Sequence, residues 1–380
     1  MGQTVCVKEI SARRDLKKFM LFANKLYKDN PCYVPDMLSS QIADFEQHKN
    51  PAFEYCKAKC FLAYRDNKIV GRIAAIHNTR ACQKYNLNQL RFTHADYIDD
   101  NEVVDALFNA VESWAAELGC SSVHGPLGFS DLDREGLLVE GFDHLSQFFV
   151  NYNHPYYMKH MERMGYIKDT DWIEHRLTLP QVYPGPPQEK LERIASTVQK
   201  RLKLRLAPLK NRKSMIPYAE GVFRLFNEAY LVLYGMVALT PAQVDKYVKE
   251  FLPLINERNA VILLNEEDEV AAFGLMAPSI SLAQRKSQGR LFPLGWFHLL
   301  RALKGKNDTM DLFLIAVHPS LKGKGANALV VTQLLKYAVE DGFKYAETGP
   351  ALEDNINVQS HWRFFDAVQH KRRRAYIKQL

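Results

Sequence analysis

The segment Leu312-Phe313-Leu314-Ile315-Ala316-Val317-His318-Pro319-Ser320-Leu321-Lys322-Gly323-Lys324-Gly325-Ala326-Asn327-Ala328-Leu329 joins an apolar strand to a helix through a loop with two glycines. Glycine lets backbone N–H groups approach an anion closely, and a helix N-terminus adds partial positive charge. Lys322 and Lys324 strengthen that potential. The pattern predicts a pyrophosphate site, although an ordinary strand-to-helix turn that needs glycine for its geometry has the same pattern.

Hydrophobic periodicity around this segment predicts strands and helices in an order that occurs twice. For the first half we predict helices near 13–28, 102–118 and 155–164, and strands near 60–65, 69–77, 91–97, 121–125 and 172–179. For the second half we predict helices near 188–200, 217–230, 241–250, 326–340 and 356–367, a strand near 202–208, a hairpin near 260–277, and strands near 311–317, 344–348 and 372–378. Each half is therefore expected to be an α/β domain, with a mixed sheet and helices on its faces.

A proline-rich stretch separates the two halves. Four prolines and one glycine lie between Pro180 and Pro187, and they are incompatible with regular hydrogen-bonded structure. We therefore predict one domain over 1–180, a basic Pro-rich linker and helix over 181–201, and a second domain over 202–380.

Composition excludes several classes of protein. The chain has 380 residues, 47% hydrophobic and 24% charged, which is typical of a globular protein. It has no run of about 18 apolar residues and no apolar core near its start, so we expect a cytoplasmic protein. The six cysteines lie in the first third without a CxxC pair, which predicts reduced structural thiols and no metal site.

The positive charge is concentrated in one stretch. The formal net charge is +7, and nine basic residues stand against two acidic ones between Gln181 and Lys213. Nucleic-acid-binding surfaces interleave aromatic residues with such charge, and none follows Tyr183 here. We interpret the stretch as a solvated connector and expect no nucleic-acid partner.

The glycine-containing segment resembles the acyl-CoA-binding motif of the GNAT (GCN5-related N-acetyltransferase) superfamily. In that motif a strand ending in Val-x-Pro is followed by Arg/Gln-x-x-Gly-x-Gly/Ala at the start of a helix. Val317, Pro319 and Gly325 match, whereas Lys322 replaces Arg or Gln and Asn327 replaces Gly or Ala. The resemblance implies acetyl-CoA or a longer acyl-CoA as co-substrate, bound by Val317, Lys322, Gly323, Lys324, Gly325, Ala326 and Asn327.

The resemblance extends over nearly the whole chain. Glu347–Asn355 is similar to the GNAT strand and helix start beside the pantetheine arm, which adds Asn355 to the binding set, and Lys371–Lys378 is similar to the last strand. In the first half, the hairpin 61–78, the strand and helix 96–119 and the helix 156–166 also resemble a GNAT domain. The loop Ile98–Glu102 has no glycine and three acids, so we expect no CoA binding there.

N-acyl transfer needs a base for the attacking ammonium and often an acid for the leaving thiolate. In many GNAT enzymes that acid is a tyrosine, but the corresponding positions here are Trp362 and Met161. We predict Glu347 and Glu353 as candidate bases and Tyr376 as a substitute acid. A strand-end carboxylate, a helix-capping carboxylate and a packed aromatic are the respective structural alternatives.

Two further stretches are candidates for binding. In the insert between Ser130 and Asn153, an amine could be bound by Asp131, Asp133, Glu135 and His144, although a solvated loop has the same pattern. Between Gln284 and Lys306, aromatic and leucine residues are flanked by Arg and Lys without any acid. This is typical of an interfacial segment and predicts peripheral contact with a membrane or a long acyl chain, with packing against the sheet as the alternative.

We therefore expect two tandem GNAT-like domains and an N-acyltransferase that uses acyl-CoA and a primary amine. The resemblance to bacterial tandem-GNAT proteins proposed to N-acylate long-chain amines makes a lipid amine the first candidate acceptor, and a small soluble amine the second. The alternative is a catalytically silent GNAT-fold binding module, indicated by the missing tyrosines and the altered loop.

Overall fold

The computed structural model describes residues 4–305, 307–355, 359, 362 and 365–380. Its helices are α1 (Arg13–Leu26), α2 (Leu38–Asp44), α3 (Thr79–Tyr85), α4 (Asn101–Glu117), α5 (Tyr156–Arg163), α6 (Pro186–Leu202), α7 (Ala219–Tyr230), α8 (Pro241–Phe251), α9 (Ser281–Lys286), α10 (Gly295–Leu303) and α11 (Ala326–Glu340). Its strands are β1 (Cys6–Ile10), β2 (Cys56–Arg65), β3 (Lys68–Asn78), β4 (Gln89–Tyr97), β5 (Ser122–Gly125), β6 (Leu137–Glu140), β7 (Ile167–Thr178), β8 (Arg205–Leu206), β9 (Ala260–Leu264), β10 (Val270–Pro278), β11 (Thr309–Val317), β12 (Tyr345–Thr348), β13 (Ala351–Leu352) and β14 (Asp366–Gln379).

These elements form two compact units. The first unit comprises Met1–Trp172, Ser281–His298 and Lys371–Leu380, and the second comprises Ile173–Ile280 and Leu299–His370. The chain thus passes from the first unit to the second within β7, before the proline-rich stretch.

The sheet of the first unit has the order β1-β2-β3-β4-β5-β14. β4 and β5 run parallel, and the other neighbours run antiparallel. Asp66 and Asn67 join β2 to β3 with φ angles of 51° and 60°, the left-handed conformation of a tight hairpin turn. Val103, Leu107 and Val111 of α4 are fully buried, because they follow the helical repeat and pack into the core on this sheet.

The sheet of the second unit repeats this arrangement in the order β7-β12-β11-β10-β9-β8. β11 and β12 run parallel, and β12 pairs antiparallel with β7. Leu329, Val330 and Leu334 of α11 pack into the apolar core of this unit. Each unit therefore has one parallel strand pair beside an antiparallel meander, as the mixed α/β prediction requires.

The last strand of the chain does not complete the sheet of the second unit, although 372–378 was expected to do so. β14 instead pairs with β5 of the first unit, with Tyr376 opposite Gly125. The antiparallel neighbour of β12 is β7, which comes from the first half of the sequence.

A buried ion-pair network explains where β14 lies. Asp171 is fully buried and accepts two hydrogen bonds from Arg374, at 2.8 and 2.9 Å, and one from Arg372 at 3.1 Å. Burial alone would raise the pKa of Asp171, but hydrogen bonds from Arg374, Lys168 and Arg372 outweigh it and hold the pKa below its usual value. Arg372 and Arg374 of β14 are therefore structural partners of Asp171.

Most elements predicted from periodicity are present, with ends shifted by a few residues. The short β1, α2, α3 and β6 were not predicted, and Cys56 and Cys60 lie on β2. The helix predicted near 356–367 falls largely outside the described residues. All six cysteines are free thiols, and burial raises the pKa of Cys56 to about 12.

Candidate functional site

In the second unit, β11 and β12 pair over only part of the length of β11. The pairing runs from Thr309 opposite Tyr345 to Leu312 opposite Thr348. β11 continues to Val317, and its register against β10 shifts at Phe313, which marks a bulge. In the described part of the chain, the β12 side of β11 therefore has no strand neighbour beyond Leu312. We refer to this position beside β11 as the cleft.

The loop that follows β11 leads into α11. Gly323 and Gly325 have φ angles of 75° and 89°, which favour glycine, and Gly325 is the N-cap of the helix. A Cβ atom at Gly323 would meet nothing within 4 Å, whereas one at Gly325 would lie 2.9 Å from Cγ2 of Val198. Gly325 thus permits close packing on α6, and Gly323 leaves an open approach to the loop.

Backbone donors are available at this helix start. The N–H groups of Gly323, Gly325, Ala326 and Asn327 have no hydrogen-bond acceptor among the residues that the structure describes. The N–H groups of a first helical turn point along the axis toward the N-terminus, where the helix dipole is positive. The loop can therefore offer several donors to one anionic group.

Three cations surround these donors. Lys322 and Lys324 are exposed, and Nη2 of Arg201 donates a hydrogen bond of 2.7 Å to the carbonyl oxygen of Lys324. Arg201 lies within the basic stretch that we interpreted as a solvated connector, and this contact places its side chain at the loop. The contact joins residues 123 positions apart, so no local pattern reveals it.

Two further side chains near the end of β11 were not predicted. The Tyr230 hydroxyl, on α7, donates to the carbonyl oxygen of Ile315 at 3.1 Å. Nδ1 of His318 accepts hydrogen bonds from the Ser320 hydroxyl at 2.7 Å and from the Ser320 N–H at 3.3 Å. The ring proton is therefore assigned to Nε2, which lies 3.5 Å from a carboxylate oxygen of Glu228.

The structure does not bring the three predicted catalytic residues into one unit. Glu347 lies in β12, is 8% exposed, and accepts a hydrogen bond of 3.2 Å from Arg176, its cross-strand partner. Glu353 lies in the turn after β13, where its carbonyl oxygen accepts from the Gln359 amide at 2.9 Å. Both glutamates belong to the second unit, whereas Tyr376 belongs to the first.

Tyr376 is packed in the apolar core of the first unit, together with Tyr97 and Tyr157. Its side chain is 2% exposed, and burial raises its pKa. Trp362 and Met161 are buried in the cores of the second and the first unit, respectively. Neither an indole nor a thioether can protonate a thiolate.

The corresponding position of the first unit, beside β4, is contacted by the loop after β5. The β4–β5 pairing ends with Arg91 opposite His124. Beyond it, the Leu127 N–H donates to the Phe92 carbonyl oxygen at 2.9 Å. The carbonyl oxygen of Phe129, in the same loop, accepts from the Asn78 amide at 3.1 Å near the start of β4. The loop after β5 therefore occupies the side of β4 that its counterpart β11 leaves without a strand neighbour.

The backbone polar groups at the end of β4 also have hydrogen-bond partners within the first unit. The Tyr97 N–H donates to the Tyr157 hydroxyl at 2.9 Å, and the Tyr97 carbonyl oxygen accepts from the Tyr156 hydroxyl at 2.5 Å. In the acidic loop that follows, Asp100 caps α4 and a hydrogen bond from Arg65 lowers its pKa. The carboxylate of Asp100 therefore lies at the start of α4, which corresponds to the start of α11, where the second unit has backbone N–H donors.

The first unit contains a small polar cavity of about 30 Å³. Asp96 lines it and accepts hydrogen bonds from Arg72 and Tyr27, each of 2.7 Å. A volume of this size holds about one water molecule. The cavity is therefore too small for an acyl-CoA.

Three of the four predicted amine-binding residues of the insert lie together, because Asp131 and Glu135 share a side-chain hydrogen bond and Asp133 interacts electrostatically with both. Asp133 accepts from the backbone N–H of Ser130 at 3.1 Å, and burial raises the pKa of both Asp131 and Glu135. His144 is half-buried and lies 3.9 Å from Asp143. Among the described residues there is no set of three or more His, Cys, Asp or Glu side chains that could hold a metal ion.

No helix in the described part of the chain is both long and apolar enough to cross a membrane.

No family model matches the sequence. Protein YghO of Escherichia coli is 28% identical over 378 residues, covering 97% of this chain and 94% of that protein. The bacterial ceramide synthase of Caulobacter vibrioides is 25% identical over 377 residues, covering 96% of this chain and 95% of the synthase. Both similarities extend over both units.

The fold is similar to that of a solved tandem GNAT protein from the clavulanic acid biosynthesis pathway. The TM-score is 0.56 at 11% identity, over 99% of this chain and 98% of that one. The glucosamine N-acetyltransferase region of a fungal β-N-acetylglucosaminidase gives a TM-score of 0.55 at 12% identity, over 99% of this chain and 38% of that one. The chain therefore has the fold of tandem GCN5-related N-acetyltransferase proteins, as its motifs predicted.

Proposed function

We propose that the protein is an acyl-CoA-dependent N-acyltransferase whose donor site lies in the second unit. The observation that carries this proposal is the loop before α11, where four backbone N–H groups lack acceptors beside Lys322, Lys324 and Arg201. A pyrophosphate can accept several such hydrogen bonds at once, and its charge is stabilised by the helix dipole and the cations. The proposed binding set is Val317, Lys322, Gly323, Lys324, Gly325, Ala326, Asn327 and Asn355.

The reaction follows from this donor. The free amine nitrogen attacks the thioester carbonyl carbon, a C–N bond forms, and the C–S bond breaks. A base takes the proton of the acceptor ammonium, and the thiolate leaves as the thiol after protonation. We propose Glu347 as the first candidate base, because it is buried in β12 beside the point where β11 and β12 part, with Glu353 as the second. Tyr376, which was the candidate acid, lies in the core of the first unit and is not proposed as the acid of this donor site.

We further propose that the first unit does not bind CoA. This proposal rests on three observations. The loop after β5 donates a hydrogen bond to β4 at Phe92, and the backbone N–H and carbonyl oxygen of Tyr97 are both hydrogen-bonded to tyrosine hydroxyls. The loop that follows β4 is acidic. An anion at that loop would meet the carboxylate of Asp100 rather than free donors. The first unit would then bind the acceptor amine or have a purely structural role.

A lipid amine is the acceptor that we favour. Ceramide is an amide of a long-chain amine, and the Caulobacter relative that matches 96% of this chain bears the name ceramide synthase. The exposed apolar segment near Trp296 would suit a substrate that resides in a bilayer. A small soluble amine, acetylated from acetyl-CoA, is the second candidate.

The proposal is tested by thermal unfolding with CoA, acetyl-CoA and palmitoyl-CoA, and by thiol release with a panel of amines. A ligand at about 100 times its dissociation constant stabilises a protein by roughly 2.7 kcal/mol. We expect stabilisation by palmitoyl-CoA beyond acetyl-CoA, with a detergent control, and thiol release with a long-chain amine. Binding without thiol release across the panel would favour the catalytically silent binding module, which the buried Trp362 and Met161 also suit. No shift with any of the three would contradict acyl-CoA chemistry.

A further inference from the structure

One stretch of the chain exposes large apolar side chains in close succession. Within residues 291–300 the exposed fractions are 39% for Leu291, 77% for Phe292, 62% for Leu294, 46% for Trp296, 49% for Phe297 and 49% for Leu300. Single exposed apolar residues are ordinary, but a contiguous patch on a globular protein marks an interaction surface. We call these six residues the apolar patch.

The residues that precede this stretch, 284–289, are held by hydrogen bonds to residues 35–38. The Gln284 amide donates to the Pro35 carbonyl oxygen at 2.7 Å, and the Leu38 N–H donates to the Gly289 carbonyl oxygen at 3.1 Å. A Cβ atom at Gly289 would lie 1.8 Å from the Asp36 carbonyl oxygen, so glycine is required for this approach. The chain that leads into the stretch is therefore anchored within the first unit, and the exposure of the patch is a feature of the fold.

The patch itself is ordered by short-range hydrogen bonds. The Trp296 N–H donates to the Leu291 carbonyl oxygen at 2.9 Å, and its indole N–H donates to the Pro293 carbonyl oxygen at 3.0 Å. Within α10, Trp296, Phe297 and Leu300 are spaced to share one side of the helix. The indole thus has its polar group satisfied locally, and its apolar body is available to a partner.

The charge around the patch has one sign. Between Ser281 and Gly305 the sequence has no acidic residue. Its cations are Arg285, Lys286, Arg290, Arg301 and Lys304, and none of them forms an ion pair with a described residue. Two copies of this surface facing each other would bring like charges together, which disfavours a second copy as the partner.

We propose that the apolar patch and its five cations dock the protein on the surface of a bilayer that contains anionic lipids. Aromatic and leucine side chains enter the boundary between headgroups and acyl chains, and unpaired cations contact anionic headgroups. This inference goes beyond the proposed acyl transfer and does not require it.

The test is flotation of the full-length protein with vesicles of phosphatidylglycerol and phosphatidylcholine, compared with vesicles of phosphatidylcholine alone. We expect at least tenfold more protein on the anionic vesicles. The double variant Phe292→Glu/Trp296→Glu should lose nearly all of this binding. The matched control is Ile167→Glu, which replaces another exposed apolar residue of the first unit and should bind as the wild type does.

A second pair of variants tests the charge. Arg290→Gln/Arg301→Gln should lower binding to anionic vesicles several-fold, whereas Lys25→Gln/Lys28→Gln, at exposed cations on and beside α1, should leave it unchanged. Absence of binding by the wild type, or unchanged binding by Phe292→Glu/Trp296→Glu, would overturn the proposal. A dimer that this double variant dissociates, without vesicle binding by the wild type, would assign the patch to a second copy. Flotation needs no CoA, so its outcome is separate from that of the acyl-transfer assays.

Discussion

The phenolic oxygen of Tyr157 accepts a hydrogen bond from the backbone N–H of Tyr97, 2.9 Å away. Tyr97 is the last residue of β4 in the first unit, and its carbonyl oxygen accepts a hydrogen bond from the Tyr156 hydroxyl. Beyond the end of β11 in the second unit, the N–H groups of Gly323, Gly325, Ala326 and Asn327 instead have no acceptor among the described residues. The two units thus share one fold but differ at this strand end. In the first unit the backbone groups are hydrogen-bonded within the protein, and in the second unit the backbone N–H groups of the loop are available to a ligand.

Tyr157→Phe tests the internal occupation of the first cleft. The variant removes the acceptor of the Tyr97 N–H and the contact with the Tyr27 hydroxyl at 2.8 Å, both fully buried. We expect the free energy of unfolding in urea to fall by about 1–3 kcal/mol. CoA affinity, measured by calorimetry on the same sample, should stay unchanged. A marked loss of CoA affinity would place a CoA site in the first unit.

Glu347→Gln tests the proposed base. Removing a general base lowers turnover by about 10²- to 10⁴-fold. The dissociation constant for CoA should not change, because the glutamate lies in β12 rather than in the loop before α11. Glu353→Gln is the matched control and should keep most of the turnover. The reverse result would assign the base to Glu353, and full activity of both variants would exclude both.

Asp131→Asn tests the protonation of the buried carboxyl pair in the first unit. Burial raises the pKa of Asp131 to about 6, and it raises that of Glu135 as well. Because the folded-state pKa lies above the unfolded value of about 3.9, this group favours folding below pH 4, and that contribution is lost as the pH rises through 6.

Asparagine has no charge to bury, so the variant should match the wild type at pH 4. At pH 8 it should be more stable by about 1–3 kcal/mol. Urea unfolding at the two pH values measures the difference. Equal stabilities at pH 8 would show that Asp131 ionises freely in the folded protein.

Much of the fold could be predicted because its signals are local. The turn at Asp66 and Asn67, the apolar repeat of α4 and the two glycines before α11 each lie within a few residues of the element they define. β14 could not be placed in this way. Its position depends on Arg374 and Arg372 meeting Asp171, about 200 residues earlier, and an alternating strand pattern does not identify its neighbour.

The candidate site was likewise predictable only where its residues are close together in the sequence. The loop residues followed from the motif, whereas Arg201 and Tyr230 enter through contacts that span 123 and 85 residues. Tyr376 shows the limit of assigning a role by position along the chain. It was predicted beside the second cleft, but β14 carries it into the core of the first unit.

The most direct test of the central claim is calorimetric titration of CoA into the wild type and into Lys322→Glu/Lys324→Glu. The two lysines are exposed, so their replacement should leave the fold intact, and Lys25→Glu/Lys28→Glu provides a control with the same change in charge. We expect saturable binding by the wild type and the control, and at least a tenfold weaker affinity for the loop variant. Equal affinities in all three proteins would contradict the assignment of the acyl-CoA site to the loop before α11.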